Sequence, residues 1–257
     1  MIKFFRKIRY DLMEKNKPAS PAGRTGKYLK YAIGEIILVV IGILIALSLN
    51  NWNENRKNKI SEKDLLENML GNLKLDSITF NKNLQEAKSI DSLHRQLYNI
   101  GVKGIKDINL KNPNRIRRAL DFYAITKNND PFVTEKIKNK KVRNEVISYF
   151  ISLDKMEESF DLLTGIIIKN LRPYLGEKEL LNLSAIFESD YQKSDGTIKT
   201  ELITTENLEA LSKVPEFQQI LFESNLKLSD AEYYLKLAII ENNNLKTIIQ
   251  SELKDNY

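Results

Sequence analysis

The chain has 257 residues, enough for one globular domain with a substantial core beyond any membrane segment. Its formal net charge of +6 is concentrated at one end: residues 1–30 hold nine basic and two acidic side chains, and the remaining 227 residues carry a net charge of −1. Because the larger part is nearly neutral, we expect no nucleic-acid partner bound through phosphate neutralisation. The absence of cysteine excludes disulfides, thiol catalysis and cysteine-ligated metals.

The first 30 residues have the pattern of a basic cytoplasmic tail. Within residues 2–12, Phe5, Ile8 and Leu12 share one side of a helix, and most basic side chains lie elsewhere around it. This pattern predicts an amphipathic helix on the anionic inner leaflet, and it fits a disordered positive-inside signal equally well. Residues 17–26, with two prolines and two glycines, predict a flexible link to the next segment.

Residues 31–49 predict a transmembrane helix. Ser48 is the only polar side chain between Ile36 and Leu49, and nineteen helical residues span about 28 Å, enough for the hydrocarbon core. Eleven Ile, Leu and Val side chains favour insertion by about 3–7 kcal/mol, whereas an acidic residue at the helix centre costs about 2.5–3.5 kcal/mol. Glu35 lies near one end, where the cost is lower, so insertion is favoured.

The flanking residues orient this helix as a signal anchor. Lysine and arginine are concentrated before it, which places the N-terminus in the cytoplasm and residues 50–257 on the opposite side of the membrane. Trp52 lies where an interfacial anchor is expected, and Tyr28 and Tyr31 mark the other boundary. A cleaved signal peptide, with its site at residues 46–48, ranks second, because the preceding basic segment is long and the apolar run exceeds the usual length.

The membrane segment carries a recognisable motif. The run KYLKYAIGEIILVVIGILIALSLNNWNE, residues 27–54, closely resembles the N-terminal signature of a family of uncharacterised single-pass membrane proteins common in Bacteroidota. Ser48-Leu49 replaces the Gln-Ile expected there, and weaker similarity continues across residues 137–150. The resemblance implies a Gram-negative inner membrane, a periplasmic domain and a domain of unknown function. It implies no activity.

The part beyond the membrane predicts three long amphipathic helices, at residues 59–99, 142–171 and 215–254, and the first of them can be continuous with the membrane helix. Their apolar positions recur at spacings of three, four and seven residues. In the first two helices these are Leu66, Leu70, Leu73, Phe80, Leu84, Ala87, Leu93 and Leu97, then Val142, Val146, Phe150, Leu153, Phe160, Leu163, Ile167 and Leu171. The predicted fold class is therefore all-α, with one N-terminal transmembrane helix followed by an antiparallel helical bundle.

Shorter elements connect the long helices. Residues 113–123 predict a helix that begins at a proline and has apolar residues at positions 116, 120 and 123. Residues 177–187 predict a short continuation of the second long helix, and residues 188–204 predict either a surface loop or a small hairpin. Aromatic residues along the helices, Phe222 and Tyr233 among them, favour core packing over a ligand cage.

The sequence contains no constellation that predicts a catalytic, cofactor-binding or metal-binding site. His94 is the only histidine and, without cysteines or suitably spaced acids, a surface or packing role is favoured over zinc binding. Residues 190–201 have the length of a calcium loop, but the glycine is misplaced and a lysine occupies a ligand position. Ser152 and Lys155 match the spacing in some acylating enzymes without their partner motifs. We therefore expect a protein that is not an enzyme and binds no cofactor.

Glu35 is the residue of the apolar run whose position needs an explanation. At 100° per residue, Gly42 and Ala46 lie within about 20° of it, so the three form one narrow stripe. The stripe could join two helices, with Gly42 and Ala46 allowing close contact and Glu35 meeting a partner. The alternative, which we rank ahead, has Glu35 reaching the inner headgroups and pairing with Lys30 or Lys27.

Two functional hypotheses follow. The first is a membrane-anchored periplasmic helical module that binds a protein or small ligand, as a homo-oligomer or with another inner-membrane or periplasmic protein. The second is an accessory component of a proton-driven inner-membrane machine that uses Glu35. Both place the protein in the inner membrane with its N-terminus in the cytoplasm.

Overall fold

A computed structural model of the chain describes residues 7, 10, 24–106, 108–187 and 201–257, with the side chains of residues 24–31 left aside. The predicted tail helix at residues 2–12, most of the flexible link before the membrane helix and most of the loop or hairpin at residues 188–204 lie outside the described residues. The chain divides into two compact units, Met1–Ser61 and Glu62–Tyr257.

The described residues contain helices and turns but no strand, so the fold class is all-α. Helix α1, Arg24–Gly101, contributes to both units, and the predicted membrane helix and first long amphipathic helix are parts of it. The others are a 3₁₀ helix at Pro113–Arg117, α2 at Ile125–Asn129, α3 at Val133–Lys136, α4 at Lys140–Ile166, a π-helix at Ile167–Leu171, α5 at Arg172–Glu177, α6 at Ser184–Phe187, α7 at Thr205–Ser212 and α8 at Pro215–Asn256.

The second unit is a bundle whose three long helices are α1, α4 and α8. Ser77 on α1 contacts Asn242 on α8, and His94, further along α1, contacts Asn225, so these two helices are antiparallel. Tyr149 on α4 also contacts Asn242, and residue 139, just before α4, contacts residue 252, so α4 is antiparallel to α8 as well. Helices α1 and α4 therefore run in the same direction.

Parallel α1 and α4 require a connection that travels back along the bundle. Residues 108–139, which we call the return segment, provide it: Arg115 pairs with Glu86, and Asn129 pairs with Asn72 nearer the start of the unit. Helices α1 and α4 thus run in one direction along the bundle, and the return segment and α8 run in the opposite direction. The side chains that fill the space between these four rods, all buried, include Leu66, Leu73, Phe80, Leu97, Ile116, Ile137, Tyr149, Leu153, Phe160 and Phe217.

The return segment is largely non-helical because side chains of the long helices pair with its backbone. Thr164 Oγ1 donates to the Leu120 carbonyl at 3.2 Å, and Arg172 donates to the Arg117 carbonyl at 3.0 Å. Buried backbone groups must be paired, and a segment satisfied from outside does not need helical hydrogen bonds.

The helix predicted for residues 113–123 is accordingly wrong beyond its first turn. Only the five residues of the 3₁₀ helix are helical, and Arg118 and Ala124 have extended backbones. Residues 116 and 120 are buried as predicted, whereas Tyr123 is exposed.

The predicted second and third long helices are confirmed, with local corrections. A π-helix carries the chain from α4 into α5, so that the helical run passes Pro173 before it ends. The continuation predicted for residues 177–187 is wrong, because the chain turns after Glu177 and only α6 is helical again. Helix α7 was not predicted, although Thr204, whose hydroxyl accepts from the Asn207 N–H, is a recognisable N-cap.

Gly101, at the end of α1, lies against the backbone of Ser212, the final residue of α7. A Cβ atom built on Gly101 would overlap the Ser212 carbonyl, whereas one built on Gly71, also within α1, meets no atom within 4 Å. Of these two positions, packing therefore requires glycine at residue 101 and not at residue 71.

Gly101→Ala should lower the free energy of unfolding by about 1–3 kcal/mol, because α7 must move away from α1. The matched control, Gly71→Ala, should raise it by about 0.5–1 kcal/mol, because alanine favours an exposed helix. Denaturant titration followed by circular dichroism measures both. Equal shifts in the two variants would contradict the close contact between Gly101 and Ser212.

Candidate functional site

The apolar part of α1 contains the predicted contact residues Glu35, Gly42, Ala46 and Trp52. They lie on one helix, so the spacing of the first three places them on one stripe. A Cβ on Gly42 would meet nothing within 4 Å, and the Arg56 guanidinium lies 5.7 Å from the centre of the Trp52 ring. The structure contains a single chain, so contact with another helix stays a prediction.

Within the described residues, α1 is the helix that is long and apolar enough to cross a membrane. None of the most apolar eighteen-residue window is buried against the rest of the protein. This exposure distinguishes the segment from the core helix of a soluble protein and is compatible with a membrane anchor.

A buried polar network lies at the middle of the second unit, centred on Asp76 of α1. Its two carboxyl oxygens accept hydrogen bonds from the backbone N–H groups of Ile125 and Thr126, at 2.6 and 3.2 Å. The Tyr149 hydroxyl donates to the same carboxyl group at 2.9 Å. Burial first, and then the neighbouring Asp76, raise the pKa of Tyr149, so the hydroxyl keeps its proton and remains a donor.

The network continues from Tyr149 to α8. Asn242 Nδ2 donates to the Tyr149 hydroxyl and to the Leu73 carbonyl, both at 3.1 Å. Ser77 Oγ donates to Asn242 Oδ1 at 2.6 Å and accepts from Lys246 Nζ at 2.7 Å. One connected set of hydrogen bonds thus joins the return segment, α1, α4 and α8.

The contact between Ser77 and Lys246 deserves a chemical test, because a lysine activates serine in some acyl-transfer enzymes. Burial, with a smaller effect of Lys74, lowers the pKa of Lys246, as such a base would require. However, the Ser77 proton is directed at Asn242, and the backbone N–H groups around Ser77 are used within α1. The backbone N–H groups beside Ser77 are therefore not free to act as oxyanion donors, and the described contacts of the network join the rods of the bundle.

Tyr149→Phe should lower the free energy of unfolding by about 1–3 kcal/mol, because the buried Asp76 carboxyl group and the buried Asn242 amide each lose one hydrogen-bond partner. Tyr233→Phe, at a side chain that is 58% exposed, is the matched control and should change it by less than about 0.5 kcal/mol. Chemical denaturation of the purified full chain measures the difference. Equal stabilities would show that the hydroxyl of Tyr149 is not part of the network.

A cavity of about 520 Å³ opens further along the second unit, between the end of α1 and the beginning of α8. The surface of its lining is mostly apolar by area, although six of the ten side chains that form it are polar or charged: His94, Arg95, Tyr98, Val102, Ser212, Gln218, Gln219, Leu221, Phe222 and Asn225. The Gln218 amide donates to the Ser212 carbonyl at 3.0 Å and so links α8 to α7 beside the cavity. The volume falls within the range of small-molecule sites in proteins.

His94 is one of two buried polar residues in the lining of this cavity, with 2% of its surface exposed, and Ser212 is the other. Its Nδ1 lies 3.1 Å from the side-chain oxygen of Asn225, which can only accept, so Nδ1 carries the proton. Burial lowers the pKa of His94 from 6.5 to about 4, against the opposing effects of Asn225 and Asp91. The ring is therefore neutral at pH 7, and Nε2, which has no hydrogen-bond partner, is an acceptor.

The stability of the domain should consequently fall as the pH is lowered from 6.5 to 4. Above pH 6.5 His94 is neutral in both states, whereas below it the unfolded chain takes up the proton first, at a cost of up to about 3 kcal/mol at pH 4. His94→Gln removes this group, so the difference between the two stability curves isolates it from the carboxyl groups. If the free energies of unfolding of the unaltered protein and of His94→Gln changed equally with pH over that range, the lowered pKa of His94 would be contradicted.

The sequence predicted a surface or packing role for His94, and the structure shows that its side chain is buried and packed. The prediction that the aromatic residues form the core is wrong for two of them, because Phe222 is 61% exposed beside the cavity and Tyr233 is exposed elsewhere on α8. Within the described residues, no group of three or more histidine or acidic side chains could hold a metal ion.

The fold thus defines an all-α protein with an exposed apolar helix and a four-rod helical unit. Residues 35–157 match a protein family described as "Family of unknown function (DUF6090)". The match supports an uncharacterised domain, begins in the apolar part of α1 and ends within α4. No curated protein and no solved structure gives a match.

Proposed function

We propose that the protein is a membrane-anchored helical module of the inner membrane, with residues 1–30 in the cytoplasm and Glu62–Tyr257 in the periplasm, where this domain binds a partner or small ligand. The observation that carries the proposal is the apolar window of α1, of which none is buried. Contiguous exposed apolar surface of this kind is unfavourable in water and favourable in a bilayer.

The charge distribution supports the orientation. The nine basic side chains of residues 1–30 precede the apolar window, whereas the residues after it carry almost no net charge. Basic residues are retained on the cytoplasmic side, so the larger unit is translocated. Within the membrane, the stripe of Gly42 and Ala46 offers a surface for a second copy of the helix.

A binding role fits the second unit better than catalysis does. Its central network pairs Asp76, Tyr149 and Asn242 with one another or with the backbone, so these groups have no spare reactive atom. The cavity is mostly apolar and its histidine is neutral at pH 7. Such a site holds a molecule and offers little to activate one.

The absence of cysteine allows a direct test of the topology. Ser20→Cys in the tail and Ser251→Cys on the exposed side of α8 each introduce one unique thiol. In cells with a permeabilised outer membrane, a membrane-impermeant maleimide should label only Ser251→Cys, and both should react after the inner membrane is disrupted. The protein should also fractionate with the inner membrane at full length.

Two results would overturn the proposal. Labelling of Ser20→Cys in intact spheroplasts would reverse the orientation. A mature protein that has lost its first residues and is released in soluble form would replace the signal anchor by a cleaved signal peptide.

A further inference from the structure

His94, one of the side chains that line the cavity, has a buried ring nitrogen without a hydrogen-bond partner. Nε2 is buried and has no hydrogen-bond partner, while Nδ1 is held by Asn225. A buried acceptor without a partner has lost its hydrogen bond to water on folding and has formed no other hydrogen bond in its place. This loss lowers the stability of the folded protein. A molecule that donates one hydrogen bond to Nε2 would remove the cost.

The surrounding side chains define the rest of that molecule. Tyr98, Leu221 and Phe222 contribute aromatic and aliphatic surface, and the volume of about 520 Å³ is that of a site for a small organic compound. The nearest charged side chain of the lining, Arg95, is already paired with Asp91 at 2.6 Å and is largely exposed. A ligand charge placed in the cavity would therefore lose its water, and an exposed arginine that is already paired compensates that loss only weakly.

We infer that this cavity binds a small, uncharged and mostly apolar molecule that donates one hydrogen bond to His94 Nε2. The rings of Tyr98 and Phe222, which line the cavity and are 47% and 61% exposed, would change rotamer to bring the ligand donor within reach of the buried Nε2. The inference deepens the binding role proposed above by naming a site and a ligand class. Its test is independent of the topology test, because it measures a property of the domain whichever side of the membrane that domain occupies.

N-phenyl-1-naphthylamine is a suitable probe, because it is uncharged and apolar and has a single N–H donor. Trp52 is the only tryptophan of the chain, so Trp52→Phe combined with Phe222→Trp gives a reporter at the cavity. Tyr98→Trp provides a second reporter. Tryptophan emission is absorbed by the dye, so bound dye quenches the reporter in the full-length protein reconstituted in lipid nanodiscs.

A reporter far from the cavity separates binding from dissolution of the dye in lipid. Phe132→Trp, in the same Trp52→Phe background, serves this purpose, because the nearby Asn129 contacts Asn72, about 33 Å along α1 from His94. Saturable quenching at residue 222 or 98 with little at residue 132 is the expected result. Equal quenching at all three positions would overturn the proposed site.

Two comparisons test the hydrogen bond to Nε2. The N-methylated dye, which lacks the donor, should bind about tenfold more weakly to the reporter protein, and the two dyes should bind alike after His94→Leu. The first comparison needs no change at residue 94, so it stands even if that variant is poorly folded. Equal affinity of the two dyes for the unaltered histidine would overturn the assigned role of Nε2.

A third comparison tests the uncharged class. The sulfonated analogue 8-anilinonaphthalene-1-sulfonate has the same rings and N–H donor, and it should bind about tenfold more weakly because its sulfonate must lose water in the cavity. Tighter binding of the sulfonate than of the uncharged dye would overturn the class and indicate an anionic ligand.

Discussion

The second unit depends on the contacts of one buried carboxyl group. Asp76 receives hydrogen bonds from the return segment at Ile125 and Thr126 and from α4 at Tyr149, and Tyr149 extends the link to Asn242 on α8. A buried carboxyl group is costly unless its oxygens are paired, and all of its partners lie at one height of the bundle. A slip of one helical turn by any rod would leave it unpaired, whereas apolar packing is non-directional and tolerates such slips better. The register of the four rods therefore follows from Asp76.

Polar contacts connect α1 and α8, directly or through neighbouring segments, at three heights. Near the start of the unit, Glu62 accepts from the backbone of Asn139, whose side chain donates to Glu252. The middle level is the Asp76 network, and the third is the contact of His94 with Asn225. The carboxyl groups of Glu62 and Asp76 are paired within the protein at the first two levels, while His94 at the third retains an unpaired nitrogen beside a cavity. The polar contacts that connect α1 and α8 are thus distributed along the length of the second unit.

The apolar periodicity of the sequence was sufficient to predict the three long helices, because each presents a continuous apolar stripe to the core. It was insufficient for the return segment, whose conformation depends on Thr164 and Arg172, side chains distant in sequence that satisfy its backbone. Local sequence patterns could not predict the cavity either, because His94 and Asn225, which both line it, are 131 positions apart. The role of Glu35, in contact with a partner helix or with the inner headgroups, stays a prediction.

The reversed path of the return segment also has a consequence for biosynthesis. Ser77 and Asn242 are 165 positions apart, and α8 is the last of the four rods to be synthesised. While the ribosome is still making the intervening residues, the apolar stripe of α1 has no lasting partner. Contacts this distant in sequence slow folding, so the domain is completed after synthesis of α8 and the nascent chain depends on protection from aggregation until then.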